Sequence, residues 1–381
     1  MIKKILFISN HASFFFSHRY NIFKEAKRKK INFKLIIGIA ASKIMDKIAF
    51  KRFKLDNVDY TQYKYSHSKI SLRNDFVSLV KIKDVINRQK PDVVHSASPK
   101  ANLFAIILSN FFKEIKFVIS FSGLGYIFIN YNQSILLHIK KIIFIKTLKI
   151  FLKGSKNVHL IMQNKDDLSL FKEILRLKKS NIHLISGGSG VDLKKFNPNK
   201  KKDTKNILMI SRITKNKGSI EYFKCAELLK KKYKKWNFLF AGTNDYETPD
   251  KIDIEYLKYL KKNKIIKFLG YKQDIHKILK KTEIFCLPSY REGMPKVTLE
   301  ALSTGVPVVT TNVTGCRDSI LNNYNGLLCK PHDYLDLSKK IEKLILNKKL
   351  RKKFSLNASN YAKKNFSITS VTKNIYKIYN L

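Results

Sequence analysis

The stretch Arg291 to Thr311 reads REGMPKVTLEALSTGVPVVTT and sets Glu292 and Glu300 eight positions apart, around Gly293-Met294-Pro295, in a chain with only eleven glutamates. A carboxylate accepts hydrogen bonds from hydroxyl groups. Pro295 suits the first position of a helix, where a missing N–H costs nothing, and Gly305 is a natural stop. The N-terminus of such a helix offers N–H groups and the positive end of a dipole, a ready site for a diphosphate. Glu300 then stands about 7.5 Å up the axis from Pro295, and Glu292 lies in the loop on the other side of the helix mouth. A nucleotide-sugar carries hydroxyls on both sides of its diphosphate, so one glutamate suits the ribose and the other the hexose. Taken singly, Glu300 reads as a solvated helix residue and Glu292 as a complement to the dipole; the pair together points to a ligand.

Holding that turn in place requires an alternating architecture. KILFIS and FKLIIG read as buried strands with the helical SHRYNIFKEAKRKK between them; DVVHS and KFVISFSG follow around the helical KANLFAIILSNFFK, then NVHLIMQN and IHLIS. Alternation of strand and helix with continuous apolar strands specifies a parallel sheet covered on both faces. A lysine-rich break, FNPNKKKDTKN, has the composition of a linker. Beyond it come NILMIS, NFLFAG, IIKFLG, IFCLP, VPVVTT and GLLC as strands, with SIEYFKCAELLKKKYKK, QDIHKILKK, PKVTLEALSTG and YLDLSKKIEKLIL as helices. The expected fold class is α/β: two doubly wound, Rossmann-like domains, with ligand outside the carboxyl ends of the strands. Expected boundaries are 1–196, a linker at 197–205, 206–360, and a helical tail at 361–381 that crosses back to the first domain.

Length and composition agree with this. At 381 residues, 44% apolar and 12% aromatic, the chain can fill two cores and has no signature of disorder. Four cysteines, none in a C-x-x-C pair, give neither a disulfide framework nor a zinc site, which suits a reducing cytoplasmic compartment. The net charge of +48 comes from 66 lysines and only 10 arginines. Nucleic-acid readers favour arginine for bidentate contacts, so this balance argues for codon-driven drift or attraction to anionic membranes and ligands, against nucleic acid. The apolar run in MIKKILFISNH is too short for a signal-peptide core, and no stretch approaches the 18 apolar residues of a membrane span.

The two glutamates with seven residues between match the E-x7-E signature of the family-4 retaining glycosyltransferases of the GT-B fold, and the resemblance extends over nearly the whole chain. ISRITKNKG (210–218) resembles that family's phosphate-binding segment, SGVDLKKFNP (189–198) its interdomain segment, and NNYNGLLCKPHD its Asn-Gly-Leu-Leu segment. NHASFFFSHR, SASPKANL, SGLGYIF, QNKDD and TGCRDSI are similar to the bacterial branch acting on polyprenyl-diphosphate-linked sugars in polysaccharide or glycan assembly. The resemblance implies retaining transfer of a hexose or N-acetylhexosamine from a nucleotide-sugar, expected to be UDP-linked, to a lipid-linked saccharide at the inner face of the cytoplasmic membrane. A nucleotide-sugar epimerase or hydrolase of the same shape is the alternative, although the first half offers no convincing pair of acid and base carboxylates; a basic nucleic-acid binder is the third reading.

On that resemblance Arg212 and Lys217 neutralise the leaving diphosphate, Glu292 orients the sugar, and Glu300, Gly293, Met294, Pro295, Lys296 and Gly242 bind the donor. No D-x-D pair and no His/Asp/Glu cluster with metal-ligand spacing occurs in the chain, so the expectation is that no metal is required and that the two cations and the helix dipole replace one. Asn10, His11 and Ser13, in a loop after the first strand, are read as lining the acceptor site, with His18 and Arg19 meeting an acceptor phosphate; the other reading makes Phe14 to Phe16 core and His18 a helix-start residue. His95 is expected to end a strand at the cleft, either as a catalytic group or as a satisfied strand-end histidine; Ala97 stands where relatives carry a second histidine. Gly123 and Gly125 allow close backbone approach of the acceptor. Residues 133–156 mix Ile, Leu and Phe with lysine and no acidic residue, the pattern of a basic helix in a membrane interface or of ordinary packing.

Overall fold

The computed structural model describes residues 3–39, 43–65, 71–125, 128, 135–175, 181–198, 204–244 and 250–381. Residues 199–203 of the expected linker, and 126–127 and 133–134 of the motifs quoted above, lie outside that set. The chain divides into two compact units.

The first unit comprises Met1–Ile127, Asn132–Ile185 and Thr369–Leu381. Its sheet contains β1 (Lys4–Ser9), β2 (Asn32–Ile37), β3 (Asp59–Gln62), β4 (Val93–Ala97), β5 (Lys116–Phe121), β6 (Val158–Met162) and β7 (Ile182–Leu184), all parallel, in the order β3-β2-β1-β4-β5-β6-β7. Leu6, Phe7 and Ile8 in β1 and Val118 and Ile119 in β5 are completely buried, because helices cover both faces. The polar edge strand β3, DYTQ, carries no apolar run and was not expected. Helices α1 (Ala12–His18), α2 (Tyr20–Arg28) and α3 (Lys43–Asp56) serve the crossovers from β1 to β3; α4 (Leu72–Gln89), α5 (Pro99–Leu108), α6 (Ile135–Leu152) and α7 (Lys165–Ile174) serve those from β3 to β7. The segment read as a loop around Phe14 to Phe16 is helix α1, and His18 ends that helix instead of starting one. Phe15 points into the core against Phe7 and Phe53, so tertiary packing recruits the aromatic run into a helix.

The second unit comprises Phe128–Tyr131 and Ser186–Ile368. Strands β8 (Asn206–Ile210), β9 (Asn237–Ala241), β10 (Lys267–Gly270), β11 (Ile284–Leu287), β12 (Val308–Thr311) and β13 (Gly326–Cys329) form a parallel sheet in the order β10-β9-β8-β11-β12-β13. Helices α8 (Ser219–Lys232), α9 (Ile254–Lys262), α10 (Ile275–Leu279), α11 (Lys296–Ser303), α12 (Tyr334–Leu346) and α13 (Lys348–Asn365) surround it. Residues 186–196 belong here and not with the first unit: Val191 exchanges backbone hydrogen bonds with Phe366 and Ile368, and Phe196 is buried in this core. Likewise Phe354, Ala358, Ala362 and Phe366 are core residues of the second unit. The segment that joins the first unit therefore begins at Thr369, later than position 361.

That segment is most of α14 (Ile368–Tyr379), which buries Val371, Ile375, Tyr376 and Tyr379 in the first core. Tyr376 donates its hydroxyl hydrogen to the Ile22 carbonyl at 2.8 Å, and Lys116 Nζ donates to the carbonyls of Ile378 and Tyr379, a cation on the last turn of a helix. His95 belongs to the same junction. It sits in the middle of β4, opposite Phe7, and not at the strand end; it is completely buried, with Nδ1 bonded to the Tyr379 hydroxyl and Nε2 to Ser120 Oγ at 2.7 Å. Both ring nitrogens are thus engaged in tying β4 to β5 and α14.

Three histidines of this unit are held neutral. Burial, then Arg19, drives His95 well below the usual imidazole value; burial, His183 and Lys116 bring His159 down to about 4; burial and Lys116 lower His183. His159 and His183 pack ring against ring on β6 and β7, with Nδ1 and Nε2 3.0 Å apart. A folded-state value below that of the unfolded chain means the unfolded state binds more protons, so this contribution is complete above about pH 6.5 and is lost as pH falls toward 4. The urea unfolding midpoint should accordingly begin to drop near pH 6.5, before carboxylates titrate; a midpoint constant between pH 7.5 and 5 would contradict it.

Candidate active site

Each sheet reverses its strand order once, between β1 and β4 in the first unit and between β8 and β11 in the second, and loops leaving the carboxyl ends of such a pair frame a crevice. In the second unit the loop after β8 carries Arg212 and Lys217, and the loop after β11 carries Glu292 to Pro295. Lys217 ends a short 3-10 turn, Lys215–Lys217, and its Nζ lies 2.6 Å from Glu292 Oε1. Both side chains keep partial access to solvent. The residues assigned separately to diphosphate and sugar are therefore ion-paired across the switch point. Arg212 is exposed two positions beyond β8.

Glycines allow these loops to meet. Gly218, at φ +72°, caps α8, and a Cβ there would run into the Pro288 carbonyl. Gly315, at φ +78°, lies against the Glu292 and Gly293 carbonyls, while the Glu292 N–H donates to Thr314 O at 3.0 Å. Gly242 follows β9 and lies against Ser211 O, which explains its glycine by backbone crowding within the protein.

Helix α11 is centred on the expected position, with one correction: Pro295 is the N-cap in extended conformation (φ −71°, ψ 105°) and Lys296 the first helical residue. The cap supplies no side-chain hydrogen bond to the first turn, as proline must. Gly293 and Met294 are buried, and Met294 packs on Gly188 of the Gly187-Gly188-Ser189-Gly190 turn. Glu300 is buried, 3.7 Å from Lys296 Nζ; burial raises its carboxyl above the usual range, opposed by Lys296 and Lys195. Lys195 comes from the segment 189–198, which Ser303 Oγ fastens to α11 through the Phe196 carbonyl. Lys195, Gly188, Gly218 and Gly315 were not singled out from sequence; the glycine just before a helix start and the Gly-Gly-Ser-Gly run were the legible signals.

In the first unit Asn10 follows β1 and Ser98 follows β4. The Asn10 N–H donates to Ser98 Oγ at 2.8 Å, and Asn10 Oδ1 accepts from Ala101 N in the first turn of α5 at 3.0 Å; its Nδ2 is buried with no hydrogen-bond partner among the described residues. His11 caps α1 through Nδ1, which accepts from Phe14 N, and the Ser13 N–H donates to Asp46 Oδ1 at 2.7 Å. His18 stacks at a tilt on Phe14, and buried Arg19 donates to Ser122 Oγ at 2.8 Å, next to Gly123 (φ +109°) and Gly125 (φ +75°). Among the described residues, a Cβ on Gly125 would meet nothing within 4 Å. The structure gathers Asn10, His11 and Ser13 after β1, with Arg19 joining the Gly123–Gly125 loop after β5, and leaves His95 buried under them. Among the described residues, no group of three or more His, Cys, Asp or Glu side chains is placed to hold a metal ion.

A family profile described as "Glycosyl transferases group 1" matches residues 190–361, and one described as "Glycosyl transferase 4-like" matches 4–165. The chain is 31% identical over 323 residues to the N,N'-diacetylbacillosaminyl-diphospho-undecaprenol alpha-1,3-N-acetylgalactosaminyltransferase of Campylobacter jejuni, covering 80% of this chain and 82% of that protein. It is 27% identical over 276 residues to the Escherichia coli UDP-Gal:alpha-D-GlcNAc-diphosphoundecaprenol alpha-1,3-galactosyltransferase, covering 69% of each. Among solved structures, Anabaena HepE in complex with UDP superposes with a TM-score of 0.75 at 16% identity over 98% of both chains, a likeness of fold.

The glycine contacts carry a test. Alanine at 315 would need a left-handed backbone, at about 1–2 kcal/mol, and would also displace the Glu292 carbonyl. Gly315→Ala should lower the unfolding midpoint of the second unit by several degrees, at about 2–4 °C per kcal/mol, and reduce activity more than tenfold. Wild-type melting and turnover in this variant would disprove the close approach.

Proposed function

Because the chain belongs to the family-4 glycosyltransferases of the GT-B fold, we propose that it transfers a hexose or N-acetylhexosamine, with retention, from a UDP-sugar to a polyprenyl-diphosphate-linked saccharide in bacterial surface polysaccharide or glycan assembly. The observation that carries this reading is the Lys217–Glu292 pair across the switch point, beside the N-terminus of α11, whose N-cap Pro295 offers no side-chain hydrogen bond to the first turn. The activities of the Campylobacter and Escherichia relatives support the acceptor class, and the Escherichia relative and HepE support UDP as the nucleotide.

In this reading the donor diphosphate lies at the first turn of α11, where N–H groups and the dipole favour negative charge. Lys217 and Arg212 take up the charge that grows on the leaving phosphate as the bond from the anomeric carbon to the phosphate oxygen breaks. The acceptor hydroxyl oxygen forms the new bond on the same face, and its proton passes to the departing phosphate oxygen. Glu292, held by Lys217, accepts hydrogen bonds from the sugar hydroxyls. Glu300 accepts from the ribose, whose hydroxyl hydrogens favour the charged carboxylate that burial disfavours. Asn10, His11, Ser13 and the Gly123–Gly125 loop contribute to the acceptor side. No divalent ion is required, and the enzyme works as a peripheral protein on an anionic cytoplasmic membrane face; no described helix is long and apolar enough to cross a membrane. Nucleic acid is not a partner.

Lys217→Ala should lower kcat by about 10²–10³-fold, the range for loss of one preorganised charge-stabilising group, with transfer in the wild type unaffected by EDTA. An unimpaired Lys217→Ala, or transfer abolished by EDTA and restored by Mg²⁺, would overturn those assignments. Glu300→Gln should weaken UDP binding at least tenfold in calorimetric titration, and unchanged affinity would remove Glu300 from the ribose.

A further inference from the structure

The two loops that meet at the Lys217–Glu292 pair are joined a second time, through a buried carboxylate. Helix α8 begins just after Lys217 and Gly218, and Glu221 lies in its first turn. Glu221 is 9% exposed, and its Oε1 accepts the hydroxyl hydrogen of Tyr290 at 2.7 Å. Tyr290 stands two residues before Glu292 in the loop after β11. Its N–H donates to the Asn216 carbonyl at 2.9 Å, next to Lys217, and Ser289 Oγ donates to the same carbonyl at 3.2 Å. The ring of His332, in the loop after β13, lies against the Tyr290 ring with centroids 3.7 Å apart. His332 has a left-handed backbone, φ +58°; burial, opposed by Glu221, holds its imidazole below the usual value. Segments that follow β8, β11 and β13 thus converge on one tyrosine.

Local preference does not account for Glu221. A carboxylate in the first turn of a helix complements the dipole just as well from a solvated position. Here it precedes Tyr222 and Phe223, both completely buried, and its own Oε2 is buried with no hydrogen-bond partner among the described residues. A buried carboxylate oxygen left unpaired costs stability, whereas an apolar side chain would fill the same place without that cost. What the carboxylate supplies is a fixed acceptor for one hydroxyl on the loop that carries Glu292.

The Lys217–Glu292 pair cannot hold the two loops throughout a turnover. In the proposed reaction Lys217 turns to the leaving phosphate and Glu292 to the sugar hydroxyls, so their mutual contact weakens as the donor enters. Both side chains also keep access to solvent, where an ion pair adds little. We infer that Glu221 and Tyr290 are positioning residues of the donor site: their hydrogen bond, with His332 packed on the tyrosine ring, keeps the loop after β11 in register with the loop after β8 while Lys217 and Glu292 exchange each other for the donor. The inference rests on the proposed sugar transfer. It assigns to both residues an effect on turnover that acts through Glu292, without contact to the substrate.

Three variants separate the possibilities. Tyr290→Phe deletes the hydroxyl and keeps the ring; Glu221→Gln keeps an acceptor oxygen, and Glu221→Leu does not. Turnover is read as UDP release, without acceptor, from whichever of UDP-glucose, UDP-galactose and their N-acetylamino forms the wild type hydrolyses fastest. Calorimetric titration gives the affinity for UDP, at a temperature where each variant has native circular dichroism. Tyr290→Phe and Glu221→Leu should lower kcat about tenfold, within what a displacement of about 1 Å can cost, with UDP affinity unchanged. Glu221→Gln should keep wild-type turnover. In a Glu292→Gln background Tyr290→Phe should cause no further loss, because residues that act through one another are not additive. Amide hydrogen exchange over Arg291–Met294 with UDP bound should be faster in Tyr290→Phe than in the wild type. Wild-type kcat in Tyr290→Phe, a Glu221→Gln variant as impaired as Glu221→Leu, an additive loss in the double variant, or unaltered exchange would each overturn the inference. A wild type that hydrolyses none of the donors, with the exchange difference intact, would count against sugar transfer and leave the loop contact standing.

Discussion

A lysine and a glutamate 75 positions apart in sequence meet where the second sheet changes direction, and the remainder of the candidate site is arranged around that pair. An ion pair with solvent access adds little to stability. Its consequence is positional, because it fixes two loops that leave neighbouring parallel strands in opposite topological directions. Those loops can approach only where side chains are missing, and the two contact points, Gly218 on Pro288 and Gly315 on Glu292, both have a left-handed backbone. Sequence, turn geometry and charge thus converge on one place in the fold.

The same place conflicts with stability elsewhere. Glu300 is a buried carboxylate 3.7 Å from Lys296 Nζ, and Pro295 caps its helix without offering a hydrogen-bond acceptor side chain. A helix selected for stability alone would carry serine or aspartate at the cap and an apolar residue at position 300. Departures from local preference that cluster at one crevice are what a binding site looks like when stability comes from the rest of the core. In the first unit the buried Asn10 Nδ2, without a partner among the described residues, is a departure of the same kind, and it also lies at a switch point.

Much of the fold was readable because the buried strands are unbroken apolar runs; KILFIS, KFVISF and NILMI leave little choice of conformation. β3 escaped because an edge strand with polar side chains carries no such run, and α1 because three phenylalanines and flanking serines suggest no helix until Phe15 is seen in the core. The mouth of α11 was legible from Gly-Met-Pro and the two glutamates, to within one residue at Pro295. The pairing of Lys217 with Glu292 was not, since the motifs assign the two residues separately and they stand 75 positions apart in sequence. His95 was misplaced because its partner, Tyr379, lies 284 positions downstream, and only the return of α14 brings them together.

The account stands on a diphosphate at the first turn of α11. A crystal structure with UDP bound tests it most directly: the β-phosphate should lie within hydrogen-bond distance of the backbone N–H groups of the first turn and of Lys217 Nζ, with the ribose hydroxyls on Glu300. UDP bound with its phosphates elsewhere, and Lys217 and Glu292 undisturbed beside an empty helix end, would contradict it.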